Sequence, residues 1–270
     1  MKIKVLSLNI ACFIPLVDKS DLLKKIVEKE KPDILCLQEV ARNLLQDTEE
    51  YNQIHKIAEL LGTAQYHGNL CNPYIITEEY RKNDSCYHGC ATYILNPNIR
   101  LVSHTDIPVD KSDKRFVIDS SITYQGKDFH VINLHLEAKA RKEETKIILN
   151  HLNDNDGRVI VCGDLNSFGA DEGQDVDSDL RKVMTDVWDK LEGGRAVTSY
   201  GSQWWYKNFP ENPHTLKIES RESNYPDGNL DYFFCKNITP LSIKSLSEPV
   251  PYLSDHLALV AEFNIQGNPA

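Results

Sequence analysis

The sequence predicts an α/β fold in a single large domain, and three observations predict it. Short apolar, β-branched runs such as Val159-Ile160-Val161-Cys162 alternate with stretches whose apolar residues recur at helical spacing. The first two of these runs flank one helical stretch, which makes a strand-helix-strand unit over residues 2–40. A chain of 270 residues that is 41% hydrophobic buries one sizeable core more naturally than two small ones. The domain is expected to span residues 1–264, with 265–270 as a C-terminal tail.

Taken in order, residues 2–10 read as a strand with Leu6, Leu8 and Ile10 on one face and Asn9 near its carboxyl end. Residues 18–31 read as a helix: Asp18 or Ser20 is the N-cap, Leu22, Leu23, Ile26 and Val27 form the buried stripe, and Pro32 is the stop. Residues 33–40 are a strand apolar on both faces that finishes in a carboxylate, Glu39. A second helix over 50–61 carries Ile54, Ile57, Ala58 and Leu61 on one side and stops at Gly62. Residues 63–88 are polar and irregular, a long loop with one short strand.

Residues 89–95 and 99–105, on either side of Asn96-Pro97-Asn98, read as paired strands. Residues 115–124 and 127–136 form a hairpin across Gln125-Gly126, and Val131, Asn133 and His135 share one face of its second arm. A helix over 138–153 turns Ile148, Leu149 and Leu152 inward. The run that follows ends in Gly163-Asp164-Leu165-Asn166, and the acidic stretch 169–179 after it lacks the glycine and distal glutamate of a calcium loop, so it reads as solvated. A helix near 178–191 ends before Gly193-Gly194, and residues 198–228 are turn-rich and aromatic. Residues 229–235, 238–246 and 257–263 read as strands, the second neighbouring the first.

Asn9, Glu39, His135 and Asp164 lie at the carboxyl ends of apolar strands, Asn166 and the pair Asp255-His256 lie in loops beside such strands, and the strand at 229–235 carries one acid, Asp231. In open α/β sheets that rim is where ligands bind. Taken singly, each residue reads more simply as a turn cap, a paired strand acid or a satisfied core histidine. Taken jointly, those readings leave the shared rim unexplained. The set has no Ser or Cys elbow for acyl transfer. It suits attack of water on phosphorus, which needs a metal for the charge, a base for the water and donors for the phosphoryl oxygens. Carboxylates and carboxamides are hard oxygen ligands, so Mg²⁺ or Mn²⁺ is expected rather than zinc.

Six segments in order carry a resemblance: Leu8-Asn9-Ile10, Leu37-Gln38-Glu39-Val40, Asn133-Leu134-His135-Leu136, Gly163-Asp164-Leu165-Asn166, Leu230-Asp231-Tyr232 and Ser254-Asp255-His256. Together they resemble the endonuclease/exonuclease/phosphatase superfamily, which includes deoxyribonuclease I, abasic-site endonucleases and neutral sphingomyelinases. The resemblance implies a four-layer α/β sandwich, two mixed β-sheets face to face flanked by helices. It implies Glu39 as the principal metal ligand with Asn9 and Asp255 close to the ion, and Asp164 and Asn166 orienting the attacking water and the phosphate. His256, held by Asp231, would be the acid/base or phosphate-stabilising histidine, and His135 would donate to the phosphate oxygens.

The activity implied is that of a divalent-metal-dependent phosphodiesterase, a nuclease first. The alternatives are a phosphatase or phospholipase-C-type hydrolase on a phosphoinositide, sphingomyelin or small phosphoester, and a catalytically silent interaction module on the same fold. Gly89-Cys90-Ala91, 162–167, Leu230-Asp231-Tyr232-Phe233 and 254–257 are similar to segments of the deadenylase-like exonucleases, an RNA-directed branch. The Trp-Cys-Asp-Arg signature of inositol-polyphosphate 5-phosphatases is absent, and Ile10-Ala11 stand where abasic-site endonucleases carry Asp and Gly. A formal charge of -10 works against clinging to long duplexes, because counterion release needs a basic face. No apolar run approaches the ~20 residues of a membrane span, and the first residues run straight into a strand pattern without a signal-peptide core. Seven cysteines without a Cys-x-x-Cys pair point to a reducing compartment, hence a cytoplasmic protein. Cys86-x-His88-x-Cys90 reads as ordinary thiols beside a histidine, and a monomer is expected.

Overall fold

The computed structural model describes residues 1–11, 16–43, 53–69, 72–73, 86–109, 115–138, 140–167, 176–193, 197–199, 229–246, 254 and 256–266. The strands among them are β1 (Lys2–Asn9), β2 (Ile34–Asn43), β3 (Tyr66–Gly68), β4 (Asn72–Pro73), β5 (Cys86–Ile94), β6 (Ile99–Pro108), β7 (Phe116–Tyr124), β8 (Lys127–His135), β9 (Val159–Asp164), β10 (Thr185–Asp186), β11 (Asp231–Lys236), β12 (Thr239–Leu246) and β13 (Ala258–Asn264). The helices are α1 (Leu16–Glu30), α2 (Gln53–Leu61), α3 (Arg141–Asn153), α4 (Val176–Arg181) and α5 (Val187–Leu191). One sheet has the order β12-β13-β1-β2-β5-β3, with β4 also on β5; the other has the order β10-β11-β9-β8-β7-β6. Both are mixed, because β1 and β2 run parallel in the first and β8 and β9 run parallel in the second.

The two-residue period of the strands decides the layers. Ile3 and Val5 of β1, Cys36 of β2, Phe129 and Val131 of β8, Ile160 and Cys162 of β9 and Phe233 and Cys235 of β11 point between the sheets into one shared core. The alternate residues Leu6, Leu8, Leu35 and Leu37 point outward and are covered by Leu23 and Ile26 of α1 and Ile54, Ile57 and Ala58 of α2. On the other side, Ile132, Leu134, Val159 and Val161 are covered by Ile148 and Leu152 of α3 and Leu180 of α4. The result is helix, sheet, sheet, helix: the four-layer sandwich that the resemblance implies. No helix among the described residues is long and apolar enough to cross a membrane.

The β7–β8 hairpin closes across Gln125 and Gly126, both left-handed at φ 49 and φ 74, the type I′ geometry that matches strand twist. Other expectations are corrected. β5 and β6 do not pair: β5 already has β2 on one edge and β3 and β4 on the other, so β6 crosses to the second sheet and joins β7. β12 likewise neighbours β13 and not β11, which lies in the opposite sheet. Helix α1 begins at Leu16, so Asp18 and Ser20 fall inside it and neither is an N-cap. The single helix expected near 178–191 is two short ones, because Asp186 leaves the helix to pair with Phe234 and then caps α5, accepting from the N–H groups of Trp188 and Asp189. Asp177, expected in a solvated acidic stretch, is 1% exposed and sits beside Ser167 and Arg181. The expected loop 63–88 contains both β3 and β4. Ile265, assigned to the tail, is buried in the inter-sheet core with its N–H bonded to the Met1 carbonyl.

Candidate active site

The inter-sheet face of each central strand ends in a polar residue at the same rim. On β1 the face that carries Ile3, Val5 and Ser7 finishes at Asn9; on β9 the face of Ile160 and Cys162 finishes at Asp164; on β8 the face of Val131 and Asn133 finishes at His135. β11 runs antiparallel to β9, so its first residue, Asp231, meets the last residue of β9, and Asp164 is flanked by His135 on one side and Asp231 on the other. Gly163 allows the close approach: its φ is +135° and a Cβ there would lie 2.0 Å from the Leu134 carbonyl oxygen.

Glu39 arrives differently. By simple alternation it would follow Leu35 and Leu37 toward the helices. Instead the β2–β5 register shifts between Leu37 and Val40, Glu39 takes φ 52, and Val40 resumes the outward face. This bulge turns Glu39 to the rim.

Asp164 is the meeting point. Its Oδ2 accepts from Asn9 Nδ2 at 3.0 Å and lies 3.6 Å from His135 Nε2 and 3.7 Å from His256 Nε2, while its Oδ1 accepts from the Asn166 N–H at 2.7 Å. Asn9 Nδ2 also approaches Glu39 Oε1 at 3.3 Å. The Ala11 N–H donates to Asn9 Oδ1, so the amide nitrogen of Asn9, not its oxygen, faces the two carboxylates. His256 Nδ1 and Asp231 Oδ2 are 2.8 Å apart, leaving Nε2 directed at Asp164. Asn166 Nδ2 donates to the Leu136 carbonyl at 2.7 Å and reaches His135 Nε2 at 3.2 Å. A carboxamide NH₂ can only donate, so His135 Nε2 is the acceptor there and its proton is on Nδ1.

Burial dominates the electrostatics. It lowers His135 to about 4, against the opposing pull of Asp164 and Glu39, so this imidazole is neutral at neutral pH. Burial also pushes the Asp164 carboxyl up; His256 and His135 oppose that shift and Asp231 adds to it. The donor set fits a hard divalent cation. Glu39 Oε1 lies 4.0 Å from the His135 Nε2 lone pair, and Asp164, Asp231 and His256 each offer a ligating atom within 4.8 Å of the others. Asp231 Oδ1 is buried with no hydrogen-bond partner among the described residues, an orphan that a cation or its water would satisfy.

Seven of the eight residues expected at the site therefore converge; the eighth, Asp255, lies outside the described residues. Three neighbours were not anticipated. Ser254 Oγ bonds the Asn9 carbonyl and accepts from the His256 N–H at 3.0 Å, a role that the Ser254-Asp255-His256 triplet could have suggested. Thr198 Oγ1 accepts from the N–H groups of Leu230 and Asp231, and its carbonyl takes the Leu257 N–H; nothing in the sequence marks it. His88, read as lying beside ordinary thiols, is buried with its ring 5.8 Å from that of His135, and burial lowers its pKa.

Solved structures share this architecture. An endonuclease/exonuclease/phosphatase from Beutenbergia cavernae superposes with a TM-score of 0.74 at 20% identity, covering 100% of this chain and 73% of its own. A humanized D. rerio TDP2 gives 0.70 at 15% identity over 97% of this chain and 99% of its own. The human Nocturnin catalytic domain gives 0.64 at 21% identity over 97% and 93%. Comparison with curated protein sequences gives no match. The model of the Endonuclease/Exonuclease/phosphatase family matches residues 6–256. That span starts in the strand that carries Asn9 and ends on His256 itself, so it takes in the whole constellation, and the chain belongs to the endonuclease/exonuclease/phosphatase family.

Proposed function

We propose that the chain is a divalent-metal-dependent phosphodiesterase that hydrolyses phosphoester bonds, with nucleic acid as its substrate. One observation carries the reading: a buried carboxylate, Asp164, is met within 3.0 to 3.7 Å by Asn9, His135 and His256, with Asp231 behind His256. A binding module has no need of a buried carboxylate whose pKa is raised beside an imidazole backed by a second carboxylate.

Glu39, at the mouth of the site, and Asp164 would hold the Mg²⁺ or Mn²⁺ ion, together with Asp255. When bound, such an ion supplies positive charge that polarises a phosphoryl oxygen. The rest falls to the chain. Asp164 Oδ2 accepts a hydrogen bond from the attacking water and aligns it. Asp231 fixes the Nδ1 proton of His256, so that Nε2 exchanges the reaction's proton or, as imidazolium, donates to a phosphoryl oxygen. Asn166 holds Asp164 and His135 in register through its N–H and its carboxamide. Asn9 is assigned the spacing of Glu39 and Asp164 instead of direct ligation, since its Nδ2 lies between them.

For the substrate, one of the structures with this fold is a D. rerio TDP2 complexed with single strand DNA product, and the charge of -10 favours a short single strand over a long duplex. The same charge favours a second reading, a small phosphoester or lipid headgroup, which presents fewer phosphates to an acidic surface. The buried thiols of Cys36, Cys162 and Cys235, which form no disulfide among the described residues, fit a reducing cytoplasm. Bis- and mono-p-nitrophenyl phosphate with Mg²⁺ or Mn²⁺ test the chemistry: the diester should turn over, and Asp164→Ala and His256→Ala should each lose roughly 10²-fold or more. Equal rates in all three proteins would defeat the reading. A panel of single-stranded RNA, single- and double-stranded DNA, phosphoinositides and sphingomyelin then separates the two substrate classes.

A further inference from the structure

Asn9 can space Glu39 and Asp164 only because the chain turns sharply just after it. Ala11 is left-handed at φ 51, and its N–H closes onto Asn9 Oδ1 at 3.0 Å. Three successive carbonyls of this turn are each taken by a buried side chain: that of Asn9 by Ser254 Oγ, and those of Ile10 and Ala11 by Nζ of Lys19, at 3.1 Å for Ala11. Lys19 is 0% exposed, although a lysine side chain is costly to bury and an apolar residue would pack there readily. An ammonium supplies what an apolar residue cannot, several donors on one centre aimed at adjacent carbonyls.

We infer that Lys19 is a positioning residue of the metal site: its ammonium locks the Ile10–Ala11 turn and, through Asn9, sets the separation of the Glu39 and Asp164 carboxylates. This rests on the reading of the site as a metal-dependent hydrolase. The consequence is that removing the ammonium loosens ion binding before it touches substrate recognition.

The test compares wild type with Lys19→Met and Lys19→Arg, by Mn²⁺ titration calorimetry and by turnover of bis-p-nitrophenyl phosphate. Lys19→Met should weaken Mn²⁺ binding by roughly 10- to 100-fold, as loss of a supporting hydrogen bond does at metal sites. It should lower kcat by about 10²-fold with KM little changed. Lys19→Arg, which keeps the charge and two donors, should restore most of both. If Lys19→Met does not fold, Lys19→Gln, with an amide donor but no charge and a shorter reach, should bind Mn²⁺ about 10-fold more weakly than wild type. A folded Lys19→Met or Lys19→Gln with wild-type Mn²⁺ affinity and kcat, whatever its melting temperature, overturns the inference and leaves the hydrolase reading standing. Wild type that neither binds Mn²⁺ nor turns over the diester overturns both.

Discussion

Beneath the rim, the two sheets are joined by polar atoms in an otherwise apolar core, and this join sets the most demanding prediction. Asn133 on β8 donates from Nδ2 across the interface to the Leu37 carbonyl at 3.1 Å and the Ala91 carbonyl at 2.9 Å, and its Oδ1 accepts from Gln38 Nε2 at 2.8 Å. Asn133→Ala deletes all three bonds inside a region that is 0% exposed at Asn133, Leu37 and Ala91. Gln38 Nε2 keeps Ser7 Oγ at 3.2 Å, so its loss is partly offset; the two carbonyls lose their cross-sheet donor. At about 0.5–1.5 kcal/mol net for each of the three buried bonds deleted, the variant should lose about 1.5–4.5 kcal/mol. For a chain of this size that is a fall in melting temperature of roughly 3–18 °C. Urea unfolding should show a lower midpoint with an unchanged slope. The Leu37 carbonyl also precedes the bulge that turns Glu39 to the rim, so Mn²⁺ affinity should fall in the fraction that stays folded. A loss below about 1 kcal/mol would refute the reasoning, because it would mean that water replaces Asn133 or that the cross-sheet bonds contribute nothing net.

Gly163→Ala places a Cβ 2.0 Å from the Leu134 carbonyl oxygen at a φ of +135°, so it should cost at least about 4 kcal/mol or abolish soluble protein; a urea midpoint near wild type would show that the β8–β9 approach is looser than described. The Asp119 carboxylate bridges His130 Nδ1 at 2.8 Å and His151 Nε2 at 2.7 Å, tying β7 and β8 to α3. Burial works to raise Asp119, but the bonds from His130 and His151 win and hold it below its ordinary 3.8; the bond to Asp119 raises His130 above 6.5, against burial and with help from Asp119 and Asp128 charge. A depressed acid stabilises above its unfolded pKa and a raised histidine stabilises below its own, so the cluster contributes fully from about pH 4 to 6.5. Asp119→Asn should therefore cost about 1–2 kcal/mol at pH 6, less at pH 8.5 and progressively less as the pH falls through the depressed range of Asp119, read as melting temperature against pH; a pH-independent difference would sink the assignment. At position 39, Glu39→Gly should be about 0.5–1 kcal/mol more stable than Glu39→Ala, since glycine relieves the left-handed φ of 52 at some entropic cost, and neither should turn over substrate; an alanine variant as stable as the glycine one would mean that the bulge is not held in solution.

How much of this was legible follows from the period of the strands. Asn9, His135, Asp164 and Asp231 sit where simple alternation puts them, so the two-residue pattern that buries Val5, Val131, Cys162 and Phe233 also points these four at a common rim. What alternation could not give is which strands share a sheet. The Asn96-Pro97-Asn98 turn looks like a hairpin from either side, and only the occupancy of both β5 edges sends β6 across to β7. Short-range signals failed in a similar way at Asp186, where capping and a two-residue strand pairing outweighed the helical period of 178–191. Glu39 lies between these cases. Leu35, Leu37 and Val40 all face the helices, and the step from a spacing of two to a spacing of three is the trace a bulge leaves in sequence.

Three non-glycine residues of the site, Ala11, Glu39 and Asn166, take left-handed backbone at φ 51, 52 and 49. Each is adjacent to or part of the Asn9–Glu39–Asp164 contact set, and each conformation costs roughly 1–2 kcal/mol that a glycine would largely remove. At 39 and 166 the side chain is needed, so glycine is not an option; at 11 the chain keeps an alanine that is itself 0% exposed and packs where glycine would leave a gap. The strain persists because the surroundings over-determine it. Lys19 and Ser254 hold the first turn, the β2–β5 ladder resumes at Val40 on the far side of the bulge, and Asn166 is tied at once to Asp164, His135 and the Leu136 carbonyl. Rigid support of this kind fixes carboxylate separations more tightly than a relaxed loop can, and an ion that demands near-octahedral oxygen geometry rewards exactness in those separations.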